Sequence, residues 1–223
     1  MDNTKHDSPC VFPDIDYHAG LDALTVQGVS SMMLTFVRER AVFEPAMDGI
    51  HDLQELEDDI RRKVRLYAGS RDDGLLQDIF HKIQVWGGEH GRYIYVQGPV
   101  FDWNEIGPCY RRLVDAVLQE GRTPDSLARK AKAFNVAMQV QHRRLGLSFI
   151  SKHVRFWSMA TLGENALPIF DNIMSKGLGI RYKWENLAPY WIAMQERARQ
   201  LGITVNALER ELFNHFRETL PRR

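Results

Sequence analysis

The sequence predicts an all-α fold, and three observations carry that expectation. Apolar residues recur at helical spacing through most of the chain. Start and stop signals stand where those periodic stretches begin and end. Only one run, RYIYVQGPV at 92–100, alternates as a short strand or an extended connection would. With 223 residues and a hydrophobic share of 44%, the chain can bury a core without staples.

The elements follow in order. LDALTVQGVSSMMLTFVRERAVF (21–43) and LQELEDDIRRKVRLYA (53–68) read as helices. SRDDGLLQDIFHKIQVWGG (70–88) reads as a third, with Ser70 as its N-cap, acids in its first turn and Gly87-Gly88 as its stop. After the run at 92–100 come IGPCYRRLVDAVLQEG (106–121) and TPDSLARKAKAFNVAMQVQHRRLG (123–146). In the latter, Thr123 is the N-cap, Pro124 fills the first helical position and Asp125 lies in the first turn. ISKHVRFWSMATL (150–162), a loop, a helix opening near Asp171, WENLAPYWIAMQERARQLG (184–202) and TVNALERELFNHFRETL (204–220) complete the set. Roughly nine or ten helices are expected, as two helical subdomains with a cleft between them and a boundary near 88–105.

Net charge is zero, but it is unevenly distributed. Residues 1–100 hold 10 Lys+Arg against 17 Asp+Glu, and residues 101–223 hold 19 against 12. The first region is therefore acidic and the second basic. No acid stands between Asp125 and Glu164, whereas Arg129, Lys130, Lys132, Arg143, Arg144, Lys152 and Arg155 all do. Such a window makes a face for a polyanion, or else a surface on which the acidic half packs.

Several classes are excluded. The opening MDNTKHDSPCVFPDIDYH has no apolar core, and no stretch runs to eighteen apolar residues, so neither export nor membrane insertion is signalled and a soluble cytoplasmic protein is expected. Cys10 and Cys109 are too few and too far apart for a disulfide scaffold or a four-cysteine cluster. Phosphate-loop, dinucleotide, zincin and hydrolase signatures are missing. The eight histidines show no pair at ligand spacing, so no metal and no cofactor is expected, and most should lie on the surface.

One constellation stands out in SFISKHVRFWSMATLGENALPIFDNIM, residues 148–174. The segment reads as a helix ending near Arg144, a turn over 145–151, a helix to about Leu162, a loop, and Asp171 at the start of another helix. Lys152 then falls in a first helical turn, where the dipole disfavours an ammonium and a neutral amine is better accommodated. Plainer roles exist: a solvent-facing lysine, an aspartate that only caps a helix, and core duty for Phe149, Phe156, Trp157 and Phe170.

The block LGLSFISKHVRFW…ALPIFDNIM resembles the helix–hairpin–helix DNA glycosylases, most of all their 8-oxoguanine glycosylase branch, as a compact and divergent bacterial member. The resemblance implies a helix–hairpin–helix fold acting on double-stranded DNA that carries a damaged or modified base. Lys152 matches the nucleophilic lysine and Asp171 the catalytic aspartate. Phe156, with Trp157 and Trp191, would line the base pocket; Arg143, Arg144, Ser151, His153 and Arg155 would meet flanking phosphates. Two departures are visible. Ser148-Phe149-Ile150-Ser151 stands where the family has two glycines around an apolar residue, and Pro168-Ile169-Phe170-Asp171 is one residue longer than the usual Pro-x-Asp. The altered hairpin favours a second reading, a non-cleaving module that recognises a modified base or nucleotide within an antiviral defence system, with protein partners from that system.

Overall fold

The computed structural model describes residues 50–87, 103–119, 121–141 and 146–220. The helix expected at 21–43, the extended run at 92–100, and Arg143 and Arg144 lie outside the described residues. Among the described residues there are eight α-helices and no strand, as an all-α reading requires. They are α1 (Ile50–Ser70), α2 (Asp73–Trp86), α3 (Trp103–Leu118), α4 (Pro124–Gln141), α5 (Leu147–Leu162), α6 (Asn172–Gly177), α7 (Leu187–Leu201) and α8 (Val205–Thr219). Single 3₁₀ turns at Gly163–Asn165 and Trp184–Asn186 precede the last elements.

Local chemistry sets several boundaries. Thr123 accepts from the Ser126 N–H at 3.3 Å, and Pro124 opens α4 behind it. The cap of α2 is Asp72, which accepts from the Leu75 N–H at 2.7 Å; it is not Ser70, which remains the last residue of α1. Arg71 makes the corner at φ 59°, which delays the second helix past serine. Helix α5 starts at Leu147 behind Gly146, three residues before the expected start at Ile150. Lys152 is consequently its sixth residue rather than a member of its first turn. The dipole argument for an uncharged amine weakens with that distance, and burial has to supply what the dipole does not.

Helix α5 is the centre of the molecule. It packs on α1, α2, α3 and α4, while α7 packs on α4 and α8 on both α6 and α7. Ten of its sixteen residues are buried, and they cover more than one face, which is the pattern of a helix enclosed by others rather than one lying on a surface. Trp157, Phe156, Val154 and Ile150 are wholly inaccessible. Buried residues from all eight helices join one contiguous apolar core. No helix among the described residues is long and apolar enough to cross a membrane.

The core also encloses a polar chain. His153 is fully buried, stacked on Phe80 at 5.0 Å, with its two ring nitrogens against Gln84 Nε2 at 2.9 Å and the Tyr110 hydroxyl at 2.8 Å. Trp157 Nε1 donates to that same hydroxyl at 2.6 Å. Burial, assisted by the charge of Lys152, drives the imidazole pKa down from 6.5 to about 3. The unfolded chain therefore binds this proton first: the stabilising contribution is complete above the unfolded value and is lost as pH falls from 6.5 toward 3. Each unit of such a difference is worth about 1.4 kcal/mol. In urea melts at pH 7 and pH 4, the wild-type chain should lose several kcal/mol more than His153→Phe, for which this proton uptake is absent.

Candidate functional site

The loop between α5 and α6 is fixed from outside itself. The Ala166 N–H donates to Gly163 O at 3.1 Å, the Leu167 N–H to Ser158 Oγ at 2.9 Å, the Ile169 N–H to Glu209 Oε1 at 2.6 Å and the Phe170 N–H to Ser151 Oγ at 3.1 Å. Residue 168 is proline and has no N–H to satisfy. Two carbonyls are also taken: Trp191 Nε1 donates to Pro168 O at 2.9 Å and the Tyr190 hydroxyl to Ile169 O at 3.0 Å. Helices α5, α7 and α8 thus hold, by side chains, a loop that has no ladder of its own.

That loop delivers Asp171. Its backbone is extended, and Oδ1 accepts from the Ile173 N–H at 3.0 Å and the Met174 N–H at 2.9 Å, so the residue caps α6. Its carboxyl borders the same cleft, of about 680 Å³, that Lys152 reaches from α5. The Lys152 amine donates to Gly87 O at 2.8 Å and lies 4.7 Å from the centre of the Phe149 ring. Burial lowers its pKa, and the nearby Asp171 charge resists that shift. Burial raises the pKa of Asp171 in turn, against the capping amide of Met174, the lysine and the amide of Ile173. Desolvation therefore moves both groups toward their neutral forms, the state in which an amine is a nucleophile.

The other expected site residues separate into two groups. Ser151 is buried and bonded to the loop, and Phe156 is buried against Trp86, its ring 4.9 Å away. Trp157 and Trp191 are also buried, one bonded to Tyr110 and the other to Pro168. None of these aromatic rings lines the cleft, so their assignment to a base pocket is corrected to core packing. His153 has no free face for a phosphate, since its imidazole is enclosed. Arg155 lines the cleft, but its guanidinium is paired there with Glu209, burial pulling its pKa down to about 10. The Ser148 N–H, at the start of α5, is occupied by the Tyr182 hydroxyl at 2.6 Å.

The cleft walls contain residues that the sequence did not single out. Trp86 at the end of α2 and Phe213 on α8 are the aromatic rings that line it. Glu57, Arg61, Glu164 and Asn206 form a linked polar patch: Arg61 donates to Glu57 at 2.6 Å and to Glu164 at 3.4 Å, and Asn206 Nδ2 to Glu164 at 3.1 Å. Arg210, exposed, stands on the same cleft. These positions come from four separate parts of the chain and carry no local motif. No group of three or more histidine, cysteine or acidic side chains among the described residues has the arrangement of a metal site. No family model, curated protein or solved structure matches the chain.

A buried amine of lowered pKa should react with small carbonyl compounds earlier than an ion-paired one. Lys63, whose pKa is raised chiefly by its hydrogen bond to Asp78, supplies the comparison. With formaldehyde and borohydride, Lys152 should be methylated at a lower pH than Lys63, as followed by peptide mass spectrometry. Equal pH dependence at the two lysines would count against a desolvated amine.

Proposed function

We propose that the chain is a lysine-dependent DNA glycosylase and lyase of the helix–hairpin–helix kind, with the cleft between two helical lobes receiving an oxidised purine of the 8-oxoguanine type. The observation that carries the reading is the convergence of Lys152 and Asp171 on one cleft, with the amine desolvated and spending a hydrogen bond on a carbonyl. The volume suits a single flipped nucleotide.

In this reading the neutral Nζ attacks the deoxyribose C1′, the N-glycosidic bond breaks, and the base departs with its electron pair and takes up a proton. The nitrogen lone pair then expels O4′, which takes up a proton, to give a protonated Schiff base; loss of a C2′ proton drives the β-elimination that expels the 3′ phosphate. Asp171 faces the developing positive charge on the sugar, and its oxygen not used for capping is free for that task. Trp86 and Phe213 take over the stacking role from Phe156, Trp157 and Trp191. Arg210, exposed at the cleft, takes the phosphate-binding role from His153 and Arg155.

The second reading, a module that binds a modified base or nucleotide without cutting, has its own supporting observation. The first-turn amide of Ser148, where a hairpin would meet a phosphate, already has an internal partner in Tyr182. The two readings diverge in one experiment. Borohydride trapping on an 8-oxoguanine duplex should yield a covalent adduct that Lys152→Gln abolishes and Asp171→Asn slows on the order of 100-fold or more. Tight binding with no adduct on any damaged duplex would move the assignment to the recognition module. If Arg210 meets a phosphate, Arg210→Ala should weaken duplex binding and reduce the slope of log K against log[salt] by about one. An unchanged slope would remove Arg210 from the interface.

A further inference from the structure

We infer that Glu209 is a positioning residue: through one carboxylate it ties the helix that bears Lys152 to the loop that bears Asp171, and so sets the separation of the pair. This inference rests on the reading above for its importance to catalysis, but not for its geometry. Glu209 is on α8, and both of its oxygens are committed. Oε2 pairs with Arg155, which lies three residues after Lys152 on α5, and Oε1 accepts from the Ile169 N–H at 2.6 Å, two residues before Asp171. The carboxylate is buried, as is Arg155, so both contacts are only weakly screened by water. An apolar residue could fill this place with less desolvation, and a buried ion pair is often no more stable than its apolar replacement. What the pair supplies instead is direction. An ionised carboxylate held by a guanidinium presents a fixed acceptor to a loop amide, and loop position then follows helix position.

The surrounding contacts make this link distinct from the others. Ser151 and Ser158 also bond the loop, but both lie on α5 itself, and Tyr190 and Trp191 reach it from α7. Glu209 alone among these side chains contacts the loop and an ionic group of α5 together. It also borders the cleft, so a change there is felt at the site.

The test uses two charge-matched pairs of substitutions in the full chain. Arg155→Met with Glu209→Gln removes the ion pair but keeps an acceptor for Ile169. Arg155→Met with Glu209→Leu removes the acceptor as well. Thermal melting establishes that both fold. The readout is the Lys152 pKa, from ¹³C-labelled lysine, with Lys152→Gln identifying the resonance. Asp171 supports the charged amine, so the leucine pair should show a lower Lys152 pKa than the glutamine pair. A merely structural role would lower the melting temperature without separating the two titrations. In single-turnover trapping the leucine pair should fall on the order of 100-fold below the glutamine pair, with little change in duplex affinity. Identical Lys152 titrations in the two folded pairs would overturn the inference. If the wild-type chain traps no DNA, the lyase reading fails while the titrations still decide the role of Glu209. Should the leucine pair not fold, Ile169→Pro, which deletes the donated N–H, replaces it with the same two outcomes.

Discussion

The constraint on which the site depends is the fixing of a loop that cannot fix itself. From Ala166 to Phe170 each backbone N–H finds an acceptor, and the residue without one is a proline that has no N–H to place. Every acceptor but one is a side chain, supplied by α5 or α8. A hydrogen bond of this kind contributes about 0.5–1.5 kcal/mol net, which is modest, but a buried amide left unmatched costs about 1–3 kcal/mol. The second number governs the conformation. An alternative path for the loop would orphan several amides at once, so the chain has one low-energy route from the end of α5 to Asp171, and the carboxyl arrives at the cleft as a consequence.

The same enclosure that orders the loop alters the chemistry of what it holds. Lys152 is withdrawn from water far enough that its pKa falls, and its hydrogen bond goes to a peptide carbonyl, which stabilises the ammonium less than a bound carboxylate would. Between its folded-state pKa and 10.5 the unfolded chain holds the proton more tightly, so stability from this residue grows as pH rises through that window and is diminished below it. A methionine would remove that penalty. Under the proposed function, this lysine is kept for its reactivity at a place unfavourable for folding. Asp171 shows the complementary arrangement: capping amides favour its charge while burial opposes it.

What was legible in the sequence follows from how local each signal is. The start of α4 was readable because Thr123, Pro124 and Asp125 act within one turn, and the cap at Asp171 was readable for the same reason. Ser70 was misassigned because the left-handed corner at Arg71 is a property of the path rather than of the residue type. His153 and Trp157 were misread on a different ground. A helix covered on several sides has no polar face to announce itself, so its charged and aromatic residues look the same whether they point at solvent, at a cleft or into the core. Trp86, Glu164, Asn206 and Phe213 were invisible because only the packing of α1, α2, α5 and α8 brings them to one place. The spacing of Lys152 and Asp171 was visible because one helix and one loop join them directly.

The acid-free window invited the expectation of a basic face, and its cations in fact divide. Arg129, Lys130 and Lys132 are exposed on α4, whereas Lys152 and Arg155 turn toward the cleft and its wall. There they are joined by Arg61 and Arg210, and faced by Glu57, Glu164, Asp171 and Glu209. Four cations and four carboxyls leave the cleft without net formal charge. Such a cavity does not draw in a polyanion by its field, since the attraction of one sign is cancelled within a few ångströms by the other. A neutral, planar, hydrogen-bonding group suits it better than a phosphate does. Under the proposed function this is the appropriate division: the sugar–phosphate chain stays at the exposed rim, where Arg210 stands, and the uncharged base enters among aromatic rings and paired charges. The cationic character that a nucleophilic lysine requires nearby is then local, held in check by a carboxyl that the loop sets in position, and the electrostatics of the site are a matter of placement rather than of total charge.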